Sequence, residues 1–181
     1  MIVIMLCIVC IMWVLLSLEP KKPKEQTSNE KLNKVLLDTN KGNSNSQFLA
    51  GLYYYEGINV LQNYEEAINW FLKSAENGNL NACRYLGICY YNGTGVKKNI
   101  SKSLHCFVHA AKYGDIESQI CMGKIYILGN GIKINYIEAY KWFNLAGINN
   151  DDIRPLRDEI ASKLTSEELY EVQNYQYNLI G

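Results

Sequence analysis

The chain has 181 residues, of which 48% are hydrophobic and 20% are charged, and this composition is typical of one globular domain with an appendage. Lysine and arginine together number 18, aspartate and glutamate also number 18, and the formal net charge at pH 7 is zero. Because a chain with no excess positive charge cannot neutralise many phosphate groups, we expect no nucleic acid among its partners.

The N-terminus is an apolar segment. Residues 2–18 carry no charged side chain, and as a helix they would extend roughly 25 Å, slightly less than a bilayer core. No basic residue precedes the segment, and Leu15 and Ser17 would form a poor signal-peptide cleavage site. We therefore expect residues 1–18 to be an uncleaved, single-pass membrane anchor, with the side of the membrane that the domain faces left open. If the segment is instead a cleaved signal, the protein is secreted or periplasmic.

Residues 19–45 are polar and include Pro20 and Pro23. A segment of this composition buries too little apolar surface to fold alone, so we predict a linker here. Within it, only Leu32 to Leu37 suggests a short helix that packs on the domain that follows.

From residue 46 to residue 151 the same residue types recur every 36 positions. The recurring positions are Gly51, Gly87 and Gly123; Tyr54, Tyr90 and Tyr126; Gly57, Gly93 and Gly129; Asn63, Asn99 and Asn135; and Phe71, Phe107 and Phe143. Each unit has two helix-like halves. A fixed period of this kind predicts an all-α fold, a right-handed α-solenoid of three tandem helical hairpins.

Glycine and asparagine mark the helix ends in each unit. The first helices are predicted over Gln47 to Glu56, Cys83 to Asn92 and Gln119 to Leu128. A glycine follows each one and can adopt the left-handed C-terminal cap without steric cost. An asparagine before each second helix can accept a hydrogen bond from its opening turn. The predicted ends of the second helices are Gly78, Gly114 and Asn150.

A further glycine lies inside each first helix, at Gly51 and its counterparts, where glycine costs about 1 kcal/mol relative to alanine. Small residues occupy one register of the second helices: Ala67, Ser103 and Ala139. We predict that the two helices of each hairpin approach closely where these small residues face each other, and that the recurring tyrosines and phenylalanines fill the space on either side.

Two stretches resemble a known repeat family. They are Leu-Gly-Ile-Cys-Tyr-Tyr-Asn-Gly-Thr-Gly-Val from Leu86 and Ala-Ile-Asn-Trp-Phe-Leu-Lys-Ser-Ala from Ala67. The pattern, which covers about residues 46–151, resembles the Sel-1-like repeat, a relative of the tetratricopeptide repeat. It departs from that family at Asn59, where a loop glycine is missing, and at Cys106, which replaces an aromatic residue. The resemblance implies adaptor or scaffold work in signalling, quality control or, in bacteria, host and envelope interactions.

Residues 152–181 are predicted to form C-terminal capping helices. Ile153, Leu156 and Ile160 are spaced as one face of a helix, and Thr165 with Glu168 forms a T-x-x-E capping box that opens a last helix. A solenoid needs an end unit with a polar outer face, and the acidic residues of this tail supply one.

Catalytic and metal-binding signals are weak. His105 and His109 are four positions apart on one predicted helix, but two ligands fall short of the three or four that a zinc site uses. Cys83, Cys106 and Cys121 do not recur at one repeat position, which indicates small buried apolar residues rather than a disulfide framework. We therefore expect no enzyme activity, no cofactor and no metal.

These observations favour a membrane-tethered, non-catalytic scaffold that binds a protein partner, whose identity the sequence does not give. Residues one and four positions after the internal glycines lie about 100° round the first helices, on a side that stacked hairpins make concave. The predicted partner-binding residues are Leu52, Tyr55, Ile88, Tyr91, Lys124 and Ile127.

Three alternatives stay open. The apolar members of this set can instead pack between adjacent units. The protein can be an envelope or secreted enzyme, as proposed for a cysteine-rich branch of the same family, although paired cysteines in every repeat would be expected. It can also be a structural, membrane-linked spacer that needs no distinct surface patch.

Overall fold

The structure is a computed structural model that describes residues 28–39, 41–148 and 150–180. The predicted membrane anchor at residues 1–18 lies outside these ranges. No helix within them combines the length and the apolar character that a bilayer-spanning helix needs.

Helices alone make up the regular structure of the described ranges. In chain order they are α1 (Ser28–Thr39), α2 (Ser44–Glu56), α3 (Tyr64–Glu76), α4 (Leu80–Asn92), α5 (Ile100–Lys112), α6 (Ile116–Leu128), α7 (Tyr136–Gly147), a 3-10 turn (Asp151–Ile153), α8 (Arg154–Ala161) and α9 (Ser166–Ile180). Helices α2 to α7 form three hairpins, and each helix packs mainly on its neighbours in the chain. The predicted all-α solenoid is confirmed.

Asparagine and aspartate begin the first helices three residues earlier than predicted. The side chains of Asn43, Asn79 and Asp115 each accept a hydrogen bond of 2.9 to 3.0 Å from the backbone N–H three residues on. These N-caps satisfy a donor that the helix itself leaves unpaired. They recur every 36 residues, but Asn43 lies before residue 46, where the first unit was predicted to begin.

The predicted caps between the two helices of each hairpin are confirmed. Gly57, Gly93 and Gly129 have φ values of 71°, 80° and 64° and end the first helices. The side chains of Asn63, Asn99 and Asn135 accept hydrogen bonds from the opening turns of the second helices.

Two irregular positions behave differently from each other. Asn59 replaces the loop glycine found at Gly95 and Gly131, yet its φ of 60° matches their left-handed conformation, because asparagine tolerates this region better than most residues. The first loop therefore keeps its shape. Asn150, predicted to end the second helix of the third hairpin, is extended at φ −147° and caps the 3-10 turn. Helix α7 ends earlier, at Gly147.

The internal glycines accommodate phenylalanine rings. A Cβ atom on Gly51 would lie 2.5 Å from the ring of Phe71, and one on Gly123 would lie 2.6 Å from the ring of Phe143. The prediction that glycine faces the small residues of the second helix is therefore incomplete, because the nearest neighbour is the ring. Close backbone approach also occurs, since Ser103 Oγ donates a 2.7 Å hydrogen bond to the carbonyl of Gly87.

Helices pack on both ends of the three hairpins. Helix α1 lies within the predicted linker, spans twelve residues where a shorter helix was expected, and packs on α2. At the other end, Ile160 and Val172 join the buried cluster of α7 that contains Phe143. The predicted capping box is confirmed, because Glu168 accepts a 2.8 Å hydrogen bond from the backbone N–H of Thr165.

Candidate partner-binding face

The six predicted partner-binding residues lie on α2, α4 and α6, the first helices of the three hairpins. We call this side of the molecule the first-helix face. Lys124 is exposed, whereas the other five, Leu52, Tyr55, Ile88, Tyr91 and Ile127, are half-buried. The structure distributes them among three environments.

The junction between the first and second hairpins is filled by aromatic rings. The Tyr85 ring lies 5.7 Å from that of Tyr55, 5.2 Å from that of Phe71 and 5.4 Å from that of Phe48, measured between centroids. We call these four side chains the aromatic cluster. Tyr55 therefore packs between adjacent hairpins, as does its neighbour Leu52, which contacts the same core.

Burial also changes the acidity of Tyr55. Loss of hydration raises the pKa of its phenol above the usual value, and the nearby Cys89 and Tyr64 add to this effect. A raised pKa means that the protein stabilises the neutral phenol over the phenolate. Tyr55 thus has the properties of a packed junction residue.

The junction between the second and third hairpins contains an open pocket instead. Three predicted residues, Ile88, Tyr91 and Lys124, line a pocket of about 200 Å³. Its other lining residues are Asn92, Phe107, Cys121, Ile125 and Leu128. We call it the α4–α6 pocket, because α4 and α6 supply all of its walls except Phe107.

Polar contacts lie at the edge of this pocket. The Tyr91 hydroxyl accepts a 2.9 Å hydrogen bond from Asn130 Nδ2, and Lys98 Nζ lies 5.4 Å from the centre of the Tyr91 ring. Lys124 makes no ion pair with any residue that the structure describes. Its charge is therefore available at the pocket rim.

Arg84 is the other cation of α4 and α6, and it is paired. Its guanidinium lies 3.6 Å from Asp115 and 3.4 Å from Glu117. These two ion pairs join the start of α6 to α4.

The third environment of the predicted residues is that of Ile127, which packs on the C-terminal cluster around Phe143.

Sequence reasoning missed five pocket residues, Asn92, Phe107, Cys121, Ile125 and Leu128, of which Cys121 and Leu128 matter most for binding. The leucine is 59% exposed, so it adds apolar surface beside the pocket. A signal for Cys121 was present, because it stands in the repeat register of Tyr85. This alignment shows that the second junction lacks an aromatic ring only once the structure has placed Tyr85 between two hairpins.

Outside the pocket, one cysteine lies close to one histidine. Cys83 Sγ lies 3.7 Å from His109 Nδ1. Burial raises the pKa of Cys89 and of Cys106 to about 11, so both thiols are protonated at neutral pH. Across residues 28–39, 41–148 and 150–180, no three His, Cys, Asp or Glu side chains are grouped so that they could hold a metal ion.

The stacked hairpins, glycine caps and repeated asparagine caps define an α-solenoid. The family model described as "Sel1 repeat" matches residues 44–79, 80–115 and 116–151. The chain therefore belongs to the Sel1 repeat family. Proteins of this family are generally protein-interaction scaffolds and are typically non-catalytic.

Two solved structures are similar to this chain. A Sel1 repeat protein from Oxalobacter formigenes has 30% sequence identity and a TM-score of 0.62, over 69% of this chain and 51% of that one. The protective antigen c5321, present in uropathogenic Escherichia coli strains and displaying an SLR fold, has 26% identity and a TM-score of 0.50, over 80% of this chain and 39% of its own. The match thus spans about half or less of each structure. A search of curated proteins gives no match.

Proposed function

We propose that this protein is a membrane-tethered, non-catalytic scaffold that binds a partner protein along the first-helix face. The observation that carries the proposal is the apolar surface at the second junction, where the exposed Leu128 lies beside the half-buried Ile88 and Tyr91. Single exposed apolar residues are common, but adjoining ones around a pocket are typical of interaction sites. Membership of the Sel1 repeat family supports the same function.

A matched pair of variants tests the binding face. Full-length protein, with Leu128→Asp or with Leu72→Asp, is used as bait in quantitative cross-linking and mass spectrometry. Leu72 is 39% exposed on α3, a second helix, so it controls for the loss of an exposed leucine elsewhere. We expect Leu128→Asp to reduce recovery of the specific partner by about tenfold or more, because a charge at an apolar contact is poorly solvated there. Equal recovery with both variants would contradict the proposed face.

The membrane tether is the second part of the proposal and is supported by the uncharged apolar sequence of residues 2–18. Alkaline carbonate extraction of the full-length protein should leave it in the membrane pellet, while a chain lacking residues 2–18 should enter the supernatant. N-terminal sequencing of the membrane form should begin at or near Met1. A mature N-terminus close to Glu19 would indicate a cleaved signal instead.

A further inference from the structure

The α4–α6 pocket exists because one repeat position changes from a large side chain to a small one. In the first junction Tyr85, from α4, places its ring against Tyr55 and Phe71. Thirty-six residues later the same position on α6 is Cys121, and the counterparts of Tyr55 and Phe71 are Tyr91 and Phe107. All three of these residues line the pocket.

A second change at the same junction removes another ring. Phe48, which contacts Tyr85 in the first junction, is replaced in the next unit by Arg84. Arg84 pairs with Asp115 and Glu117 and is absent from the pocket lining. The second junction therefore keeps Tyr91 and Phe107, the counterparts of the residues that contact the Tyr85 ring, but lacks the ring itself.

The size and lining of the pocket suit one such ring. Its volume is about 200 Å³ and its walls are mainly aliphatic and aromatic. For comparison of size, an enclosed apolar protein cavity of about 150 Å³ binds benzene. The α4–α6 pocket is instead partly open to solvent, so an aromatic group that enters it gains contacts with the walls and removes apolar surface from water.

We propose that the α4–α6 pocket binds an aromatic side chain of the partner protein, in the place that corresponds to the Tyr85 ring, and that a carboxylate of the same segment lies beside Lys124. The inference rests on the proposed scaffold function and names the chemistry that this site recognises. Lys124 is exposed and lacks an ion-pair partner among the described residues, so a carboxylate complements the charge of the rim. A buried aromatic anchor is the kind of residue that dominates interface affinity.

The pocket can be probed without knowing the partner, because Cys121 lies in its wall. Full-length protein is equilibrated with equal concentrations of bis(2-phenylethyl) disulfide and bis(2-hydroxyethyl) disulfide in the presence of 2-mercaptoethanol. In each exchange a cysteine thiolate attacks a disulfide, forms a mixed disulfide and releases one thiol. Peptide mass spectrometry then gives the ratio of phenylethyl to hydroxyethyl adduct at every cysteine.

We expect this ratio at Cys121 to exceed the ratio at Cys121 of the variant Ile88→Trp by about tenfold or more, since burial of one ring favours the aromatic adduct. In Ile88→Trp the indole occupies the pocket while Cys121 is retained, so this variant reports the general reactivity of the two reagents at the same thiol. Cys106 does not line the pocket, and its ratio should be the same in both proteins. Equal ratios at Cys121 of the unaltered protein and of the variant would overturn the inference.

A second experiment separates this inference from the proposed function. For a partner identified with the bait variants, Cys121→Tyr should weaken binding by about tenfold or more, because the protein then fills its own pocket, while Cys121→Ala should change affinity by less than about threefold. If the partner binds Cys121→Tyr as tightly as the unaltered protein, the pocket inference is wrong and the scaffold function stands. If aromatic adducts are selected at Cys121 but no partner depends on Leu128, the pocket chemistry stands and the proposed function is wrong.

Discussion

The junction between the first and second hairpins and the junction between the second and third share a repeat register but differ in their side chains. Phe48, Tyr55, Phe71 and Tyr85 fill the first with aromatic rings, whereas Cys121 leaves a pocket of about 200 Å³ in the second. The hairpin backbones do not need the rings of Phe48 and Tyr85, because caps and glycine–phenylalanine contacts recur in all three units. A repeat protein can therefore change the chemistry of one junction while it keeps the fold.

The largest effect is expected from removal of the ring in the first junction. Tyr85→Cys should lower the free energy of unfolding by about 2 to 3 kcal/mol, less than for a fully buried aromatic residue because Tyr85 is half-buried. Chemical denaturation of the full-length protein measures this change. Cys121→Tyr is the reciprocal control and should lower stability by less than about 1 kcal/mol, or raise it, since it enters existing space. A loss below about 0.5 kcal/mol for Tyr85→Cys would mean that the aromatic cluster is not a stabilising junction.

Alkaline pH should weaken the first junction more than the second. Cys89, which is 1% exposed in the core of the first junction, has its pKa raised from 9.0 to about 11, mainly by burial. As pH rises, this thiol ionises at a lower pH in the unfolded chain than in the folded protein. The buried, neutral thiol therefore contributes about 2 to 3 kcal/mol to the free energy of unfolding below pH 9, and this contribution is lost as pH rises towards 11.

Melting temperatures of the unaltered protein and of Cys89→Ala between pH 8 and pH 11 check this prediction. The variant should lose less stability over that range, whatever its stability at pH 8. Cys121→Ala is the matched variant of the second junction. It should change the pH dependence less, because Lys124 and Arg84 oppose the effect of burial on the pKa of Cys121. If the melting temperature falls equally with pH in Cys89→Ala and in the unaltered protein, the loss of stability at alkaline pH does not come from Cys89.

The smallest effect concerns two tyrosines at equivalent repeat positions. Tyr91→Phe removes the hydroxyl that accepts a hydrogen bond from Asn130, and we expect a loss of about 0.5 kcal/mol because the bond is exposed. Tyr55→Phe is the control, since the Tyr55 hydroxyl has no hydrogen bond to the described residues, and it should change stability by less. Thermal unfolding of both variants measures these losses of stability. A larger loss for Tyr55→Phe than for Tyr91→Phe would contradict the prediction.

Several features of the fold were predictable because they repeat. Gly57, Gly93 and Gly129 mark helix ends wherever the chain needs a positive φ, and a spacing of 36 residues identifies the family without reference to any contact. The first-helix N-caps, Asn43, Asn79 and Asp115, repeat at the same interval and so are predictable in the same way.

The candidate site was predictable only in part. Spacing from the internal glycines placed Ile88, Tyr91 and Lys124 on one face, and the structure brings them together around one pocket. The same spacing chose Tyr55, which the structure packs into the aromatic cluster. Helical periodicity gives the direction in which a side chain leaves its helix, but it does not show which residue of the next hairpin meets it.

By itself, the sequence determined the repeat length, the order of the helices and most of their caps, because each depends on local backbone conformation and so recurs at a constant interval. Only the tertiary structure decided which junction is filled and which is open. The pocket depends on Cys121 of α6 facing Tyr91 of α4 and Phe107 of α5. Packing depends on the volumes of side chains that meet in space, and these three residues are distant from one another in the chain.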